Sequence, residues 1–450
     1  MIYFLTEFGT IRRAENYANP DLKRDGLPLR LHGFASPTQS TQPAAPNEIV
    51  LPAAAFDSLK AFAVSQETDA VLRFFVQKGR ECLQVKNYVG LIETTDGTQI
   101  EVLPKTAQTP TEGCAIVLQM LRCLPNTPFR SLPTAHLKNA NLPFWEVFVA
   151  AFVEEIEKIV RQGLQKNYVE EEDNAPLLRG KLLINKHIVQ NFAQQERFWV
   201  CYDEFVANIA PNRLLKSCIV ALQRRSRSAT NQTKLRQLRF IFEEVPASEN
   251  LKNDFDAIVP TDRRFDRYAS AMRWAAVLLK EQAWAGQAGQ SANLSLLFPM
   301  ERLFEAYVAR GFRLYLPNYE VVLQDNAHYL IANHAGERKF GLRPDLVLRQ
   351  NNQLLVLDTK WKWIDTTKSN YGIDQADLYQ LYAYGQKYEA QEVCLIYPKH
   401  AAFELPLASF QYQNSLHLRV LPFDISVPLA TAVAQVASYL SSPRSIVDSQ

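Results

Sequence analysis

The sequence predicts a multidomain α/β protein with a β-rich N-terminal module, a central helical domain and a C-terminal mixed α/β core. Three observations support this prediction. The first part of the 450-residue chain alternates short apolar runs with turn residues, the middle has apolar residues at helical spacing, and the last part alternates helix and strand patterns. Since domains commonly have about 100 to 200 residues, this length predicts about two to four domains. We place them at 1–125, 126–290 and 291–450.

The N-terminal module is predicted to contain short strands and one helix, at Ala53–Ser65. Residues 88–105 form a predicted hairpin, because the dipeptide Asp96-Gly97 between alternating apolar strands is a strong turn signal. The Pro-, Ser-, Thr- and Gln-rich stretch at 35–47 predicts an exposed loop or insertion. This part of the chain therefore resembles a small β-rich module.

The middle domain is predicted to be helical. Residues 144–162 carry a broad apolar stripe that Gly163 closes, and further helices are predicted at 209–225, 230–242 and 264–282. Several basic residues on these helices would suit contact with a DNA backbone, although a charged helix face is usually only solvated. These residues are Arg224, Arg225, Arg227, Lys234, Arg236 and Arg239. The composition of 285–293 predicts a flexible linker before the last domain.

The last domain contains a predicted hairpin that carries two carboxylates and an amine. Apolar runs flank Asn351-Asn352, and Asn tolerates the positive φ that a two-residue type I′ turn requires. Counting outward from this turn places Asp345 opposite Asp358, and facing like charges repel unless something positive offsets them. Lys360 lies two residues beyond Asp358 and therefore returns to the same face of the strand. The alternative interpretation is an edge hairpin with solvated charges.

The segments on each side of the hairpin predict an α/β core. Residues 299–311 form a helical stripe that presents Glu305 and has Gly311 as a predicted stop. Residues 375–389 form a second helix in which Gln380 and Tyr384 share a face, and 392–398 form a buried strand. The order helix, hairpin, helix, strand predicts an active site at one edge of a mixed sheet. Glu305 and Gln380 are candidate catalytic residues on these helices, although both of them, like Tyr384, could equally border a helix face with no chemical role.

The residue types in this hairpin favour metal-dependent phosphodiester cleavage. Both aspartates end apolar runs, where a charge is costly unless it is paired or bound to a metal. Mg²⁺ prefers oxygen ligands and usually binds through one or two carboxylates, waters and substrate phosphate. Asp345 and Asp358 are therefore the predicted metal ligands, Lys360 the predicted charge stabiliser, and Glu305 a predicted outer ligand. Pro344-Asp345 and Asp358-Thr359-Lys360 match the PD-(D/E)xK nuclease signature.

Composition excludes several other classes of protein. The 49 basic and 47 acidic residues give a net charge of +2, so no global basic field indicates nucleic acid. Six scattered cysteines without CxxC spacing argue against a zinc site or a disulfide scaffold and favour reduced, buried thiols. Because the N-terminus shows no signal peptide and no apolar run approaches ~18 residues, we expect a cytoplasmic protein that does not bind membranes. The sequence contains no GxxxxGK[ST] motif, so it has no evident nucleotide-hydrolysing site.

Motifs in all three parts of the chain resemble the McrC family, the nuclease subunit of the McrBC modification-dependent (type IV) restriction system. They run from residue 89 to residue 384, and they occur in the family's order. The matching residues are Val89-Gly90-Leu-Ile, Ile100-Glu-Val-Leu-Pro104-Lys105, Gly163-Leu, Tyr168, Leu178-Arg179-Gly180-Lys181, Asn212-Arg213-Leu-Leu-Lys216, Arg343-Pro344-Asp345, Asp358-Thr-Lys360 and Gln380-Leu-Tyr-Ala-Tyr384.

The resemblance implies a PD-(D/E)xK, restriction-endonuclease-like core in which Asp345, Asp358 and Lys360 are catalytic. It also implies a separate partner, an AAA+ GTPase of the McrB type that forms a hexameric ring and binds the GTP. The N-terminal module would dock into this ring and stimulate the partner's GTP hydrolysis. Double-stranded DNA near modified cytosine is the implied substrate, and recognition belongs to the partner. The insertion near 35–48 departs from the family pattern. Two alternatives remain: a stand-alone restriction or repair nuclease, and a non-catalytic scaffold that activates a GTPase.

Overall fold

A computed structural model describes residues 2–14, 47–65, 71–132, 143–192, 196–258, 263–285, 294–351, 353–412 and 416–441. The chain divides into two compact units. The first contains Met1–Arg130 and Ser295–Gln450, so both ends of the sequence contribute to it, and the second contains Leu142–Leu294. Most of the predicted insertion at 35–48 and of the predicted linker at 285–293 lies outside the described residues.

The described residues contain both helices and strands. The helices are α1 Ala53–Ser65, α2 Pro110–Leu121, α3 Phe144–Arg161, α4 Ile184–Gln190, α5 Ala210–Arg225, α6 Ala229–Ile241, α7 Leu251–Asp256, α8 Ala269–Ala285, α9 Met300–Tyr315, α10 Gln375–Lys387 and α11 Leu429–Ser441. The strands are β1 Ile2–Thr6, β2 Thr10–Arg13, β3 Glu48–Leu51, β4 Leu72–Gln77, β5 Arg80–Val85, β6 Tyr88–Glu93, β7 Gln99–Leu103, β8 Asn167–Ala175, β9 Lys181–Leu182, β10 Phe198–Val206, β11 Leu294–Pro299, β12 Glu320–Leu323, β13 Tyr329–His334, β14 Glu337–Gly341, β15 Leu346–Gln350, β16 Gln353–Thr359, β17 Glu392–Pro398, β18 Phe410–Gln411 and β19 His417–Phe423.

The N-terminal part of the first unit contains two sheets, with strand orders β3-β2-β5-β4 and β1-β7-β6-β11. The predicted helix α1 and the predicted hairpin β6–β7 are confirmed. Helix α2 is not among the helices predicted from the sequence. It is nevertheless well capped, since Thr109 Oγ1 accepts a hydrogen bond from Glu112 N and the Glu112 carboxylate accepts one from Gln108 N. This module is therefore rich in strands but also contains two helices.

Strand β11 joins the C-terminal part of the chain to the N-terminal sheet, next to β6. The contact requires a glycine at position 90, where φ is +131° and an added Cβ would lie 2.0 Å from the Leu296 carbonyl oxygen. Directly after β11, Met300 N donates to Asn87 O at 3.2 Å. Helix α9 thus begins against the N-terminal sheet.

The C-terminal part contains a six-stranded mixed sheet of order β12-β15-β16-β17-β19-β18. Helix α10 packs on the face that presents Val347, Val356 and Val393, and contributes Leu381 to the same buried cluster. The predicted order of helix, hairpin, helix and buried strand is confirmed, and β17 has the predicted bounds. The exposed hairpin β13–β14, which the sequence reading does not predict, is inserted between β12 and β15.

The predicted role of Gly311 is wrong. This glycine does not end a helix but lies within α9, which continues to Tyr315. A Cβ at this position would lie 2.7 Å from Leu429 Cδ1 and 2.9 Å from Val433 Cγ2, on helix α11. The glycine therefore allows two helices to pack closely, a function that depends on residues distant in sequence.

The second unit contains the predicted helices together with a sheet that the helical prediction missed. Helices α3, α5, α6 and α8 lie close to their predicted positions, and Gly163 follows α3 with a φ of +82°. Between α3 and α5, however, β8 and β10 form a long antiparallel pair, with β9 on the other edge of β10. Strand β8 is mostly exposed and contains four consecutive acidic residues, at 170–173. Because neither face of most of this strand is buried, it lacks the apolar alternation that predicts strands.

All six cysteines are free, and all except Cys123 are buried. Within the described ranges, no helix combines the length and apolar character needed to cross a membrane.

Candidate active site

The two predicted aspartates lie at the same end of the hairpin β15–β16. The predicted register is confirmed, with Leu346 opposite Leu357. Asn351 has a φ of 44°, as expected for Asn in a tight turn. Continuing the register by one residue brings Asp345, which immediately precedes β15, opposite Asp358. Local turn chemistry therefore places two carboxylates side by side.

Asp345 is held by the strand that carries its neighbour. Its Oδ2 atom accepts hydrogen bonds from Thr359 N and from Thr359 Oγ1, both at 2.7 Å. Its backbone carbonyl accepts a hydrogen bond from Gln324 N at 3.0 Å, directly after β12. These bonds fix the position of Asp345. Thr359 donates two of them, although the sequence predicts it only as a spacer within the motif.

Lys360 lies on the same side as Asp358, as the alternation of side chains along the strand predicts. Its Nζ atom is 2.8 Å from Asp358 Oδ2 and 3.4 Å from Asp377 Oδ1, and it donates to Gln380 Oε1 at 3.3 Å. Burial lowers the pKa of Lys360, but Asp358 and Asp377 outweigh this effect and raise the pKa to about 12. The ammonium group therefore stays charged throughout the neutral pH range.

The pKa values of both aspartates are raised. Burial raises the pKa of Asp345 despite the hydrogen bonds from Thr359. Asp358 is only 3% exposed, and burial together with the neighbouring charge of Asp345 raises its pKa to about 6. Each carboxylate thus makes ionisation of the other more costly, the arrangement expected where a cation binds two acids.

Gln380 and Tyr384 lie on one face of α10, as their spacing predicts. Gln380 Nε2 donates to the Tyr384 hydroxyl at 2.7 Å, while Gln380 Oε1 accepts from Lys360. The amide of Gln380 is therefore oriented at both ends. It contacts the predicted site through the lysine.

Glu305 approaches the site from α9 without contacting the two aspartates directly. Its Oε1 atom accepts from Gln324 Nε2 at 2.6 Å, and the amide oxygen of Gln324 accepts from the Arg343 guanidinium. Burial raises the pKa of Glu305, and the charge of Asp345 raises it further. Glu305 thus lies within electrostatic range of Asp345.

Asp377 also contacts the candidate site, although it was not predicted from the sequence. It is buried, and its two carboxylate oxygens pair with Lys360 and with Lys362, the latter at 3.1 Å. A signal was present, since Asp377 lies three residues before Gln380 and such residues share a helix face.

The donor set fits a hard divalent cation such as Mg²⁺. Asp345 and Asp358 provide adjacent, buried carboxylates with raised pKa values. In the described part of the chain, including this site, no group of three or more His, Cys, Asp or Glu side chains is placed to hold a metal ion. Two carboxylates, with water and substrate phosphate as the other ligands, are typical of magnesium sites.

Motif residues outside this site have structural explanations. Gly180 has a φ of +69°, and a Cβ there would lie 2.3 Å from the Cys201 carbonyl oxygen. Asn212 is fully buried and accepts a hydrogen bond from the Tyr268 hydroxyl at 3.0 Å. Lys216 Nζ donates to the Phe242 carbonyl at 2.7 Å. These residues stabilise the second unit.

Some of the basic residues considered for DNA contact have partners within the chain. Lys234 forms an ion pair with Glu157 at 3.0 Å, and Arg239 donates to the Gln223 side chain at 3.0 Å. A DNA-binding role for this basic surface stays a prediction.

Comparisons with known proteins identify the family to which this chain belongs. The model of the McrBC 5-methylcytosine restriction system component family matches residues 83–398. One similar solved structure is a refined half-complex from a tetradecameric assembly of Thermococcus gammatolerans McrB AAA+ hexamers with bound McrC. It has a TM-score of 0.67 at 18% identity, and the alignment covers 98% of this chain and 100% of that one.

A second solved structure, the Thermococcus gammatolerans McrBC complex, has a TM-score of 0.49 at 18% identity, with 71% of this chain and 89% of that one covered. No curated protein matches the sequence. Because the family model spans most of the chain, including the hairpin that carries Asp345 and Asp358, the protein belongs to the family of McrBC 5-methylcytosine restriction system components.

Proposed function

We propose that this chain is the DNA-cleaving subunit of a modification-dependent restriction complex and that it hydrolyses phosphodiester bonds with Mg²⁺. The observation that carries the proposal is the constellation of Asp345, Asp358 and Lys360 at one end of a hairpin in a mixed sheet. The two carboxylates are buried side by side, and the ammonium lies 2.8 Å from Asp358. A scaffold without catalytic activity would not need this costly arrangement of charges.

The residues divide the catalytic work between them. Asp345 and Asp358 would hold Mg²⁺, which supplies Lewis-acid polarisation of a phosphoryl oxygen and lowers the pKa of a bound water. Lys360 directs its permanent positive charge at the site, where it stabilises negative charge that develops on the phosphate or positions the attacking water. Gln380 and Asp377 hold Lys360 in place, and Glu305 would accept hydrogen bonds from water around the cation.

The surrounding architecture supports a PD-(D/E)xK, restriction-endonuclease-like core. Helix α9 presents Glu305, the hairpin β15–β16 presents Asp345 and Asp358, and helix α10 presents Gln380. The hairpin belongs to the six-stranded sheet, and both helices contact strands of that sheet. Rigid elements of this kind hold catalytic groups more precisely than loops do.

The proposed complex contains an AAA+ GTPase of the McrB type, and this chain docks on its hexameric ring and stimulates GTP hydrolysis. Family membership supports this part of the proposal, as does the similarity to a structure described as McrB AAA+ hexamers with bound McrC. The sequence itself has no P-loop, so a partner must supply the nucleotide-driven step. The N-terminal module is the proposed docking element.

The test is cleavage of plasmids with and without 5-methylcytosine by this chain, its GTPase partner, Mg²⁺ and GTP. Asp358→Ala is expected to abolish cleavage and to leave partner binding and GTPase stimulation intact, because it removes a metal ligand from the core of the site. Glu337→Ala, on the exposed hairpin β13–β14, is the matched control and is expected to cut like the wild type.

Two results would overturn the proposal. Undiminished cutting by the Asp358→Ala complex would show that the site is not catalytic. Cutting of both plasmids without GTP would instead indicate a stand-alone nuclease.

A further inference from the structure

A buried carboxylate links the N-terminal sheet to the segment that carries the catalytic lysine. Glu7 follows β1 and is 2% exposed. Its Oε1 atom accepts a hydrogen bond from the Trp361 indole at 2.7 Å and another from Lys105 N at 3.0 Å. Trp361 is itself 2% exposed and immediately follows Lys360 in sequence. One carboxylate oxygen thus connects three distant parts of the chain.

Lys105 strengthens the same connection with its side chain. Its Nζ atom donates to the Trp361 carbonyl oxygen at 3.1 Å. The ammonium group lies 5.3 Å from the ring centroids of Trp361 and Trp363 and 5.5 Å from that of Phe8. Such placements are favourable cation–π contacts. Trp361 is therefore held at its indole by Glu7 and at its backbone by Lys105.

The connection continues into the site on both sides of Trp361. Its ring lies 5.3 Å from that of Phe304, the residue before Glu305 on α9. On the other side, Trp361 is bonded directly to Lys360, whose backbone N donates to Ile396 O at 2.9 Å. A displacement of Trp361 would therefore move Lys360.

We propose that Glu7 and Lys105 are positioning residues for DNA cleavage, which hold Trp361 and thereby set the position of Lys360. The N-terminal sheet, rather than the nuclease core alone, then determines the geometry of the cleavage site. The catalytic consequence of this inference rests on the proposed function. It also explains two motifs of the first module, since Gly90 and Lys105 both contact the C-terminal part of the chain.

The first experiment measures backbone hydrogen exchange on the chain alone and needs no nuclease activity. Glu7→Ala removes the acceptor of the Trp361 indole, and exchange at the Lys360 amide is expected to accelerate about tenfold or more. Glu7→Gln keeps an oxygen acceptor and is expected to stay close to the wild type. Glu101→Ala is the control, because Glu101 is a fully buried carboxylate of the same sheet that contacts Cys114 Sγ at 3.5 Å instead.

The second experiment measures cleavage by the complex with the GTPase partner. Glu7→Ala and Lys105→Met are expected to lower kcat about tenfold or more, because a small misplacement of a catalytic group has a large effect on rate. The DNA concentration for half-maximal rate and the GTPase stimulation should stay within about twofold. Adding Trp361→Phe to Glu7→Ala should slow cleavage by less than the product of the two separate effects, since both changes remove the same hydrogen bond.

The outcomes separate this inference from the proposed function. Unchanged exchange at Lys360 in Glu7→Ala would overturn the inference, whatever the complex does to DNA. Faster exchange with a loss of cleavage no larger than that of Glu101→Ala would also overturn it. Cleavage by Asp358→Ala would instead contradict the proposed function. Loss of cleavage in Glu7→Ala with recovery in Glu7→Gln is the supporting result.

Discussion

Removing the charge of Asp358 is expected to stabilise the fold while it abolishes cleavage. The pKa of this buried group is about 6 in the folded chain and is ordinarily 3.8. A raised carboxyl pKa means that protonation of this group favours the folded state. The stabilisation from protonation is complete below pH 3.8 and is lost as the pH rises through about 6. At pH 8 the ionised group therefore destabilises the fold, and Asp358→Asn, which resembles the protonated form, should relieve this.

The magnitude follows from the difference between the two pKa values. One pKa unit corresponds to about 1.4 kcal/mol, so a rise of about two units corresponds to about 3 kcal/mol at pH 8. This value already includes the attraction between Lys360 and Asp358, and it is an upper bound because relaxation around the ionised carboxylate reduces the cost of its burial. We expect a gain of about 1 to 2 kcal/mol at pH 8 and almost none at pH 4.

Urea denaturation at the two pH values, with EDTA present, measures the effect. Glu337→Gln, an exposed change on β14, is expected to alter stability by less than about 0.5 kcal/mol at either pH. Added Mg²⁺ should stabilise the wild type and not Asp358→Asn, because a ligand that binds only the folded state stabilises it. A variant less stable than the wild type at pH 8, or a gain of equal size at pH 4, would show that the charge of Asp358 does not destabilise the fold.

Three further predictions follow from other parts of the structure. Apparent Mg²⁺ affinity in the cleavage assay should fall about tenfold per pH unit below about 6, because Asp358 must lose its proton to bind metal; a flat profile from pH 8 to pH 5 would contradict this. Glu146→Leu should destabilise the second unit by about 3 kcal/mol or more, measured by urea denaturation, because it removes the acceptor of Ser226 Oγ and Asn231 Nδ2; a loss below about 1 kcal/mol would argue against the network. Gly90→Ala should prevent the first unit from folding, since its Cβ would meet the Leu296 carbonyl; a wild-type circular dichroism spectrum and melting curve would show otherwise.

The elements that the sequence predicts well are those defined by local patterns. The hairpin around Asn351 has its predicted register, and helix α1 and strand β17 have their predicted bounds. Turn chemistry and side-chain periodicity act over a few residues, so they are visible in the sequence itself. The same rule explains the placement of Lys360 next to Asp358, two residues away on one strand.

The features that the sequence misses depend on contacts between distant residues. Gly311 suggests a helix end by its residue type, yet it serves the packing of α9 against α11. Strand β8 pairs with β10 but buries few of its own side chains, so it carries no apolar alternation. Asp377 becomes a site residue only because α10 packs beside the hairpin.

Local patterns in the sequence predict the composition of the candidate site: two carboxylates and an amine at one end of a hairpin, in a chain whose motifs match one family. The surroundings of that site become visible only in the folded chain. Burial raises the pKa values of both aspartates, helix α10 holds Lys360, and Glu7 and Lys105 hold the residue after it. Desolvation and long-range hydrogen bonds depend on which elements pack together, and local sequence patterns do not encode that.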